Sequence, residues 1–309
     1  DISGWSDKTV CRLVKSNGGA DYLEEAASRG LDCEVSVKAT GSNPTALSVN
    51  RNESDSYKNI DVSKIKKALR KSGLGILKFE QISPLTSKTA KKPVSVIKDP
   101  DSKKSVIKFQ LRHGDCGEER KWSDCENDRE RVELTFEKEI SKSEKWYRFK
   151  LYFPKSHEPA YPSKLSILQW KRMKPSKTLV QFQQNYTGLI FNRNGDTFTD
   201  ENFNLVKEEE LYNRWIEIVF NTNWHPDKAK GFMRVWVDGQ IKVDFEGVSY
   251  IQNNLKQKLS LRFGLYSGFL SRFRDVFPEK KHPTREIYFD AVKGLKNCEG
   301  IFGTNKCQL

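Results

Sequence analysis

Three short stretches alternate so that chemistry-bearing side chains share one face. In Arg131–Phe136, Arg131, Glu133 and Thr135 oppose Val132, Leu134 and Phe136. In Leu259–Tyr266, Arg262, Gly264 and Tyr266 oppose Leu261, Phe263 and Leu265. In Leu165–Lys171, Gln169 and Lys171 lie across from Leu168 and Trp170. Successive side chains of a strand point to opposite faces, so these groupings follow from extended geometry. Cations and an amide can hold an anion, and a phenol can move a proton. The plain alternative is a solvated outer face. Charged residues alone would serve such a face, and Gln169 and Tyr266 tip the reading toward a site.

Period-two alternation recurs wherever a strand is needed to carry such a face. Candidate strands are 106–111, 131–136, 146–153, 165–171, 179–182, 189–192, 215–221, 232–237, 241–245, 259–266 and 286–292. Val237-Asp238-Gly239-Gln240 is a hairpin signal, because the tight turn needs two residues tolerant of positive φ. Many short strands with little helix between them predict an all-β antiparallel sandwich. Residues 1 to about 75 read differently. Asp21 to Glu24 forms a capping-box pattern ahead of Ala26, Ala27 and a terminating Gly30, and Asp61 heads a second helix through Ile65, Ala68 and Leu69. The expected domains are a small disulfide-tied helical module over 1–80 and a sandwich over 96–309, with 82–104 as a linker running into a first strand.

The 309 residues carry 54 Lys+Arg against 41 Asp+Glu, a formal charge of +13. A field of that sign attracts polyanions: nucleic acid, anionic lipid or acidic polysaccharide. Mean hydropathy is −0.71, and no run approaches the ~18 apolar residues of a membrane span. No helix-turn-helix, zinc or RNP-like pattern supports a nucleic-acid partner. The six cysteines fall into local couples, which predicts Cys11–Cys33, Cys116–Cys125 and Cys298–Cys307 disulfides. Disulfides imply an oxidising compartment, so a secreted or periplasmic protein is expected.

The polar-face residues resemble three motifs of the jelly-roll polysaccharide lyases, in that family's order. Arg131-Val-Glu133-Leu134 resembles R-x-E-L, Gln169-Trp-Lys171 resembles Q-x-H, and Leu261-Arg-Phe-Gly264-Leu-Tyr266 resembles Y-F-K-x-G-x-Y. Arg112-His-Gly-Asp115 and Val235-Trp-Val-Asp-Gly239 are similar to the heparin lyase I and glucuronan lyase branch. The resemblance covers roughly 96 to 302. Lys171 stands where the family has histidine, and Arg262 where it has lysine. His113 matches an upstream histidine of the glucuronan-lyase-like branch.

The resemblance implies a concanavalin-like jelly roll that cleaves uronate polymers by β-elimination. A base removes the proton at C5, alpha to the carboxylate, and an acid protonates the departing O4. On that pattern Tyr266, Gln169, Arg131 and His113 are the catalytic candidates, and Lys171, Arg262 and Glu133 bind substrate. Gln169 and Arg131 would sit on the substrate carboxylate, and neighbouring cations would lower the Tyr266 pKa. A syn elimination would use Tyr266 as both base and acid; an anti elimination would need His113 as base. The expected partner is an anionic polysaccharide and the expected state a monomer. No cofactor is required, although Asp290 resembles a position near a structural calcium in related sandwiches. His157, His225 and His282, beside proline or in loop text, are expected to be solvated. The alternative reading is a non-catalytic carbohydrate-binding sandwich for anionic glycans. A glycoside hydrolase would need a carboxylate pair for which no E-x-D-x-x-E stretch exists.

Overall fold

The computed structural model describes residues 7, 10–11, 20–33, 58–59, 61–71, 81–83, 86–87, 93–99, 102–115, 118–119, 122–139, 144–173, 176–193, 201–250, 258–295 and 297–302. The chain divides into two compact units, 1–55 with 271–281, and 56–270 with 282–309. In the first, helix α1 (Ala20–Ser28) is followed by Gly30 at φ +65°, the left-handed residue that ends a helix. Asp21 therefore lies inside the helix instead of capping it. Val10, Ala26 and Cys33 are buried together, and the Cys11–Cys33 disulfide closes the cluster. Cys125 and Cys298, in the larger unit, are each disulfide-bonded; Cys116 and Cys307 lie outside the described residues.

The larger unit begins with β1 (Lys58–Asn59) and helix α2 (Val62–Lys71). The Lys64 amide donates to Asp61 Oδ1 at 3.1 Å, as the sequence predicts. Ile65 packs on the sandwich core, so α2 belongs to this unit and not to the N-terminal one. Strands β2 (Gln81–Ser83), β3 (Thr86–Ser87), β4 (Val94–Lys98), β5 (Ser105–Leu111), β6 (Glu118–Glu119), β7 (Trp122–Ser123) and β8 (Arg129–Glu139) follow. Next come β9 (Lys145–Tyr152), β10 (Lys164–Met173), β11 (Ser176–Asn185), β12 (Gly188–Arg193), β13 (Glu201–Lys207), β14 (Trp215–Asn223), β15 (Phe232–Val237) and β16 (Gln240–Glu246). The chain then runs through β17 (Lys258–Gly268), helix α3 (Leu270–Val276), which from residue 271 on belongs to the smaller unit, β18 (Arg285–Leu295) and helix α4 (Glu299–Phe302).

Two seven-stranded sheets build the sandwich, in the orders β13-β12-β11-β10-β17-β8-β2 and β16-β15-β14-β9-β18-β5-β4. Every paired strand in them is antiparallel. All the strands expected from alternation are present, mostly lengthened by a residue or more. The sequence reading missed β2, which pairs with β8 where a linker was expected to start, and β13, whose Glu201-Asn-Phe-Asn204 start offers only one large apolar side chain to mark a buried face. Asp238 and Gly239 both take positive φ, 49° and 82°, which makes the β15–β16 turn the tight hairpin expected.

Aromatic residues knit the sheets together. Phe109 on β5 meets Phe263 on β17 at 5.4 Å between ring centroids, and Trp170 on β10 meets Phe220 on β14 at 4.8 Å. Val132, Leu134, Leu261, Phe263 and Leu265 are all buried, as their alternation predicts; the Phe136 side chain lies outside the described residues.

Gly264 marks the closest approach. Its φ is +137°, and a Cβ there would lie 2.2 Å from the Val132 carbonyl oxygen and 2.9 Å from the Phe109 ring. The backbone oxygen cannot swing aside. Gly264→Ala should therefore destabilise the sandwich by at least ~2 kcal/mol, combining positive-φ strain with displacement of β8. A urea unfolding midpoint equal to that of the parent protein would refute this.

Candidate active site

The face of the first sheet turned away from the core carries Arg131 and Glu133 from β8, Arg262 and Tyr266 from β17, and Gln169 and Lys171 from β10. Pairing sets Tyr266 opposite Arg131 and Ser166, Glu133 opposite Gly264, Gln169 opposite Arg262, and Lys171 opposite Ser260. An irregularity between Ser166 and Leu168 makes this possible. Relative to β11, Ile167 is the extra residue, so Ile167 and Leu168 both enter the core while Ser166 and Gln169 stay on the polar face. Uninterrupted alternation would have sent Ser166 to the face opposite Gln169.

This face is not simply wet. Glu133 is 1% exposed and Gln169 3%. The side chains of Arg131 and Arg262 are 11% and 13% exposed. Burying charges is costly unless they are paired and hydrogen-bonded, so a tight cluster here asks for a purpose beyond solubility. Gln169 Nε2 donates to Glu133 Oε1 at 2.5 Å. Glu133 Oε2 lies 3.8 Å from Arg131 Nη1 and 4.0 Å from Arg262 Nη1. The Arg131 guanidinium stacks 4.5 Å above the Tyr266 ring centroid and forks onto Asp124, its Nε 2.8 Å from Oδ2. Asp124 also accepts from Trp122 Nε1 at 3.0 Å. Sequence reading passed over Asp124, which sits in turn text with no periodic signal.

These contacts bear on two expected roles. Arg131 and Gln169 were expected on the substrate carboxylate. Arg131 is instead held by Asp124 and Glu133, and the Gln169 amide donates to Glu133. The side chains with capacity left are Lys171 and Arg262. Lys171 makes no ion pair or hydrogen bond among the described residues, and Arg262 Nε, Glu133 Oε2, Thr135 Oγ1 and Ser260 Oγ are buried without a hydrogen-bond partner there.

Electrostatics separates the two proton carriers. Burial, with Arg262 and Arg131 next in effect, lowers the Lys171 ammonium to about 8. Burial raises the Tyr266 hydroxyl above its usual value, and the opposing pull of Arg131 and Arg129 does not overcome it. Neighbouring cations were expected to lower Tyr266; desolvation of the phenolate outweighs them.

His113 is not brought to this cluster. Its Nδ1 lies 3.1 Å from Glu130 Oε1, and Glu130 precedes Arg131 on β8, so the two point to opposite faces. His113 belongs to a second polar group, in which Glu130 also accepts from the Gly114 amide at 2.8 Å and meets His282 Nδ1 at 2.9 Å. Arg285 Nη1 contacts the same imidazole. His157, His225 and His282 are all buried, contrary to the expectation of solvated loop positions. His157, bonded to the Glu286 carbonyl and to Gln184, is pushed down to about 4 by burial. The partners of His157, and Glu130 beside His282, come from distant strands that local text does not reveal, whereas the His225 ring accepts from the nearby Asp227 amide.

The Glu130 group carries a stability prediction. Burial alone would raise Glu130, but hydrogen bonds from His113, His282 and the Gly114 amide hold it near about 2. The folded value lies below the unfolded ~4.3, so the stabilisation is complete above that value and is lost as pH falls toward 2. Glu130 should contribute about 3 kcal/mol at neutral pH. Urea unfolding of Glu130→Gln against the parent should show that gap at about pH 6 and a much smaller one at about pH 3. A gap that does not shrink would sink the assignment.

Asp290 lies on β18, and among the described residues no group of three or more His, Cys, Asp or Glu could hold a metal ion. No helix among them is long and apolar enough to cross a membrane.

The model of a family described as polysaccharide lyase matches residues 67–293. Among solved structures, the chain is similar to the endo-β-1,4-glucuronan lyase of the fungus Trichoderma reesei, with a TM-score of 0.51 and 14% identity over 72% of this chain and 94% of that one. It is also similar to the alginate lyase AlgAT5 of polysaccharide lyase family 7, with a TM-score of 0.45 and 11% identity over 70% and 88%. Alginate lyase PA1167 of Pseudomonas aeruginosa gives 0.43 and 11% over 68% and 91%. At 14% identity the likeness to the glucuronan lyase speaks to the sandwich alone. No curated protein matches by sequence.

Proposed function

We propose that this chain, which belongs to the polysaccharide lyase family, cleaves an acidic, uronate-containing polysaccharide in a secreted or periplasmic setting, with Lys171 as general base and Tyr266 as general acid. The observation that carries this reading is the nearly buried face on which β8, β10 and β17 gather Arg131, Arg262, Gln169 and two proton carriers, Lys171 and Tyr266. One is an amine lowered to about 8, the other a phenol raised above its usual value. Paired groups whose environments push their pKa values apart divide naturally into base and acid.

The C5 proton of a uronate is weakly acidic while the carboxylate is anionic. Arg262, with its unpartnered Nε, is the cation suited to that carboxylate, and it stabilises the enolate-like charge that develops as the proton leaves. Neutral Lys171 takes the C5 proton. The electrons of that C–H bond form the C4–C5 double bond, the C4–O4 bond breaks, and Tyr266 gives its proton to the departing oxygen. The phenolate recovers a proton from solvent or from the Lys171 ammonium. Arg131 and Gln169 act as positioning residues, the first against the Tyr266 ring and the second on Glu133. The disulfides support an oxidising compartment.

The test is an ultraviolet absorbance screen for unsaturated product against glucuronan, alginate, heparin, hyaluronan and pectate. Product from one of these is expected. Binding without product from any would replace the lyase reading with that of a non-catalytic glycan binder.

A further inference from the structure

Strand register extends the site sideways in two rows. Arg262 pairs with Gln169, Gln169 with Gln181, Gln181 with Asn192, and Asn192 with Asn202. Tyr266 pairs with Ser166, Ser166 with Gln183, Gln183 with Ile190, and Ile190 with Asn204. Residues paired directly across adjacent strands share a face, so both rows continue the proposed catalytic face. At ~4.8 Å per strand, β11 to β13 add the width of a short oligosaccharide.

The chemistry changes abruptly along these rows. Up to β10 they hold Arg131, Arg262 and Tyr266, with Lys171 beside them. Beyond β10 they hold amides and one isoleucine, with no charge. Near the far edge Arg193 pairs with Glu201 and Lys207 with Glu209, and Glu208 accepts from the Tyr212 hydroxyl. The amides also interlock. Gln183 Nε2 donates to Gln181 Oε1 at 2.5 Å, Ser166 Oγ donates to the same oxygen, and Asn192 Nδ2 donates to Asn202 Oδ1 at 2.8 Å. Four amide atoms remain without partners among the described residues: Gln181 Nε2 and Asn202 Nδ2 as donors, Gln183 Oε1 and Asn192 Oδ1 as acceptors. Gln183 and Asn192 are each 7% exposed, so a mismatch there is costly.

That mixture discriminates between sugars. A carboxylate accepts hydrogen bonds only, and would leave Gln183 Oε1 and Asn192 Oδ1 unpaired and facing negative charge. A hydroxyl gives and accepts, and satisfies both kinds of atom. We infer that the β11–β13 arm binds an uncharged sugar, and that the substrate is a heteropolysaccharide in which the uronate that is cleaved adjoins a neutral residue. This deepens the lyase reading and rests on it for the position of the uronate.

The experiment compares a polyuronate with the same polymer partly reduced at its carboxyl groups to primary alcohols. Formation of unsaturated product, per remaining uronate, should show a kcat/KM about tenfold higher on the reduced polymer, a preference the amide mismatch can supply. Gln181→Lys and Asn192→Lys, with thermal unfolding midpoints at the parent value, should shift the preference toward the fully charged polymer. Equal or greater kcat/KM of the parent protein on the fully charged polymer overturns the inference. Absence of product from both polymers is a failure of the lyase reading, and calorimetric titration with oligosaccharides of the two kinds then decides the inference by itself. Tighter binding of the mixed chain, lost in Gln181→Ala and Asn192→Ala, upholds it, and equal or tighter binding of the fully charged chain overturns it.

Discussion

Tyr266→Phe is expected to lower kcat by about 10²- to 10⁴-fold on a confirmed uronate substrate, the usual worth of a positioned general acid. The substitution removes the proton and little else. The ring remains beneath the Arg131 guanidinium, 4.5 Å away, and the hydroxyl makes no hydrogen bond among the described residues whose loss would disturb the fold. KM and the thermal midpoint should therefore stay near the parent values while turnover collapses. The raised pKa matters here, because a phenol that holds its proton through neutral pH is ready to donate. Full turnover in Tyr266→Phe would remove the tyrosine from the mechanism.

The second large effect belongs to Lys171. Lys171→Met should also cost about 10²- to 10⁴-fold in kcat, and its pH dependence separates base from counter-charge. A lysine base works when neutral, so kcat/KM of the parent protein should rise with pH through about 8, the value to which burial and the neighbouring arginines lower this amine. Tyr266 must be protonated, so activity should fall only at higher pH. Lys171→Arg keeps the positive charge and removes a usable base, since guanidinium does not deprotonate in this range. The rising limb and the turnover should both disappear in that variant. If Lys171→Arg retains activity and its pH profile, the residue serves as a cation alone and the base lies elsewhere.

Much of this protein can be read from its residues in order. Alternation is a local property, and Val132 with Leu134, or Phe263 with Leu265, could be assigned to a core because strand geometry forces neighbours to opposite faces. The turn at Asp238-Gly239, the Asp61 cap and the Cys11–Cys33 bridge are also short-range, and they appear where the text places them. The polar set of Arg131, Glu133, Gln169, Lys171, Arg262 and Tyr266 was legible for the same reason, although its members come from three strands.

What each of them touches was decided only by tertiary structure. Which carboxylate an arginine meets depends on strand order and register, and a turn residue, Asp124, takes the fork of Arg131. Whether a pKa rises or falls depends on how deeply the group is covered, a quantity summed over the whole fold. Desolvation thus reversed the expected shift of Tyr266 and turned Lys171 from a counter-charge into a candidate base. His113 looked eligible by sequence, yet one residue of alternation on β8 put its partner Glu130 on the face opposite Arg131. The amide rows on β11 to β13 also emerge only when pairing aligns Gln181, Asn192 and Asn202, because residues so far apart in the chain become neighbours through hydrogen bonds between strands.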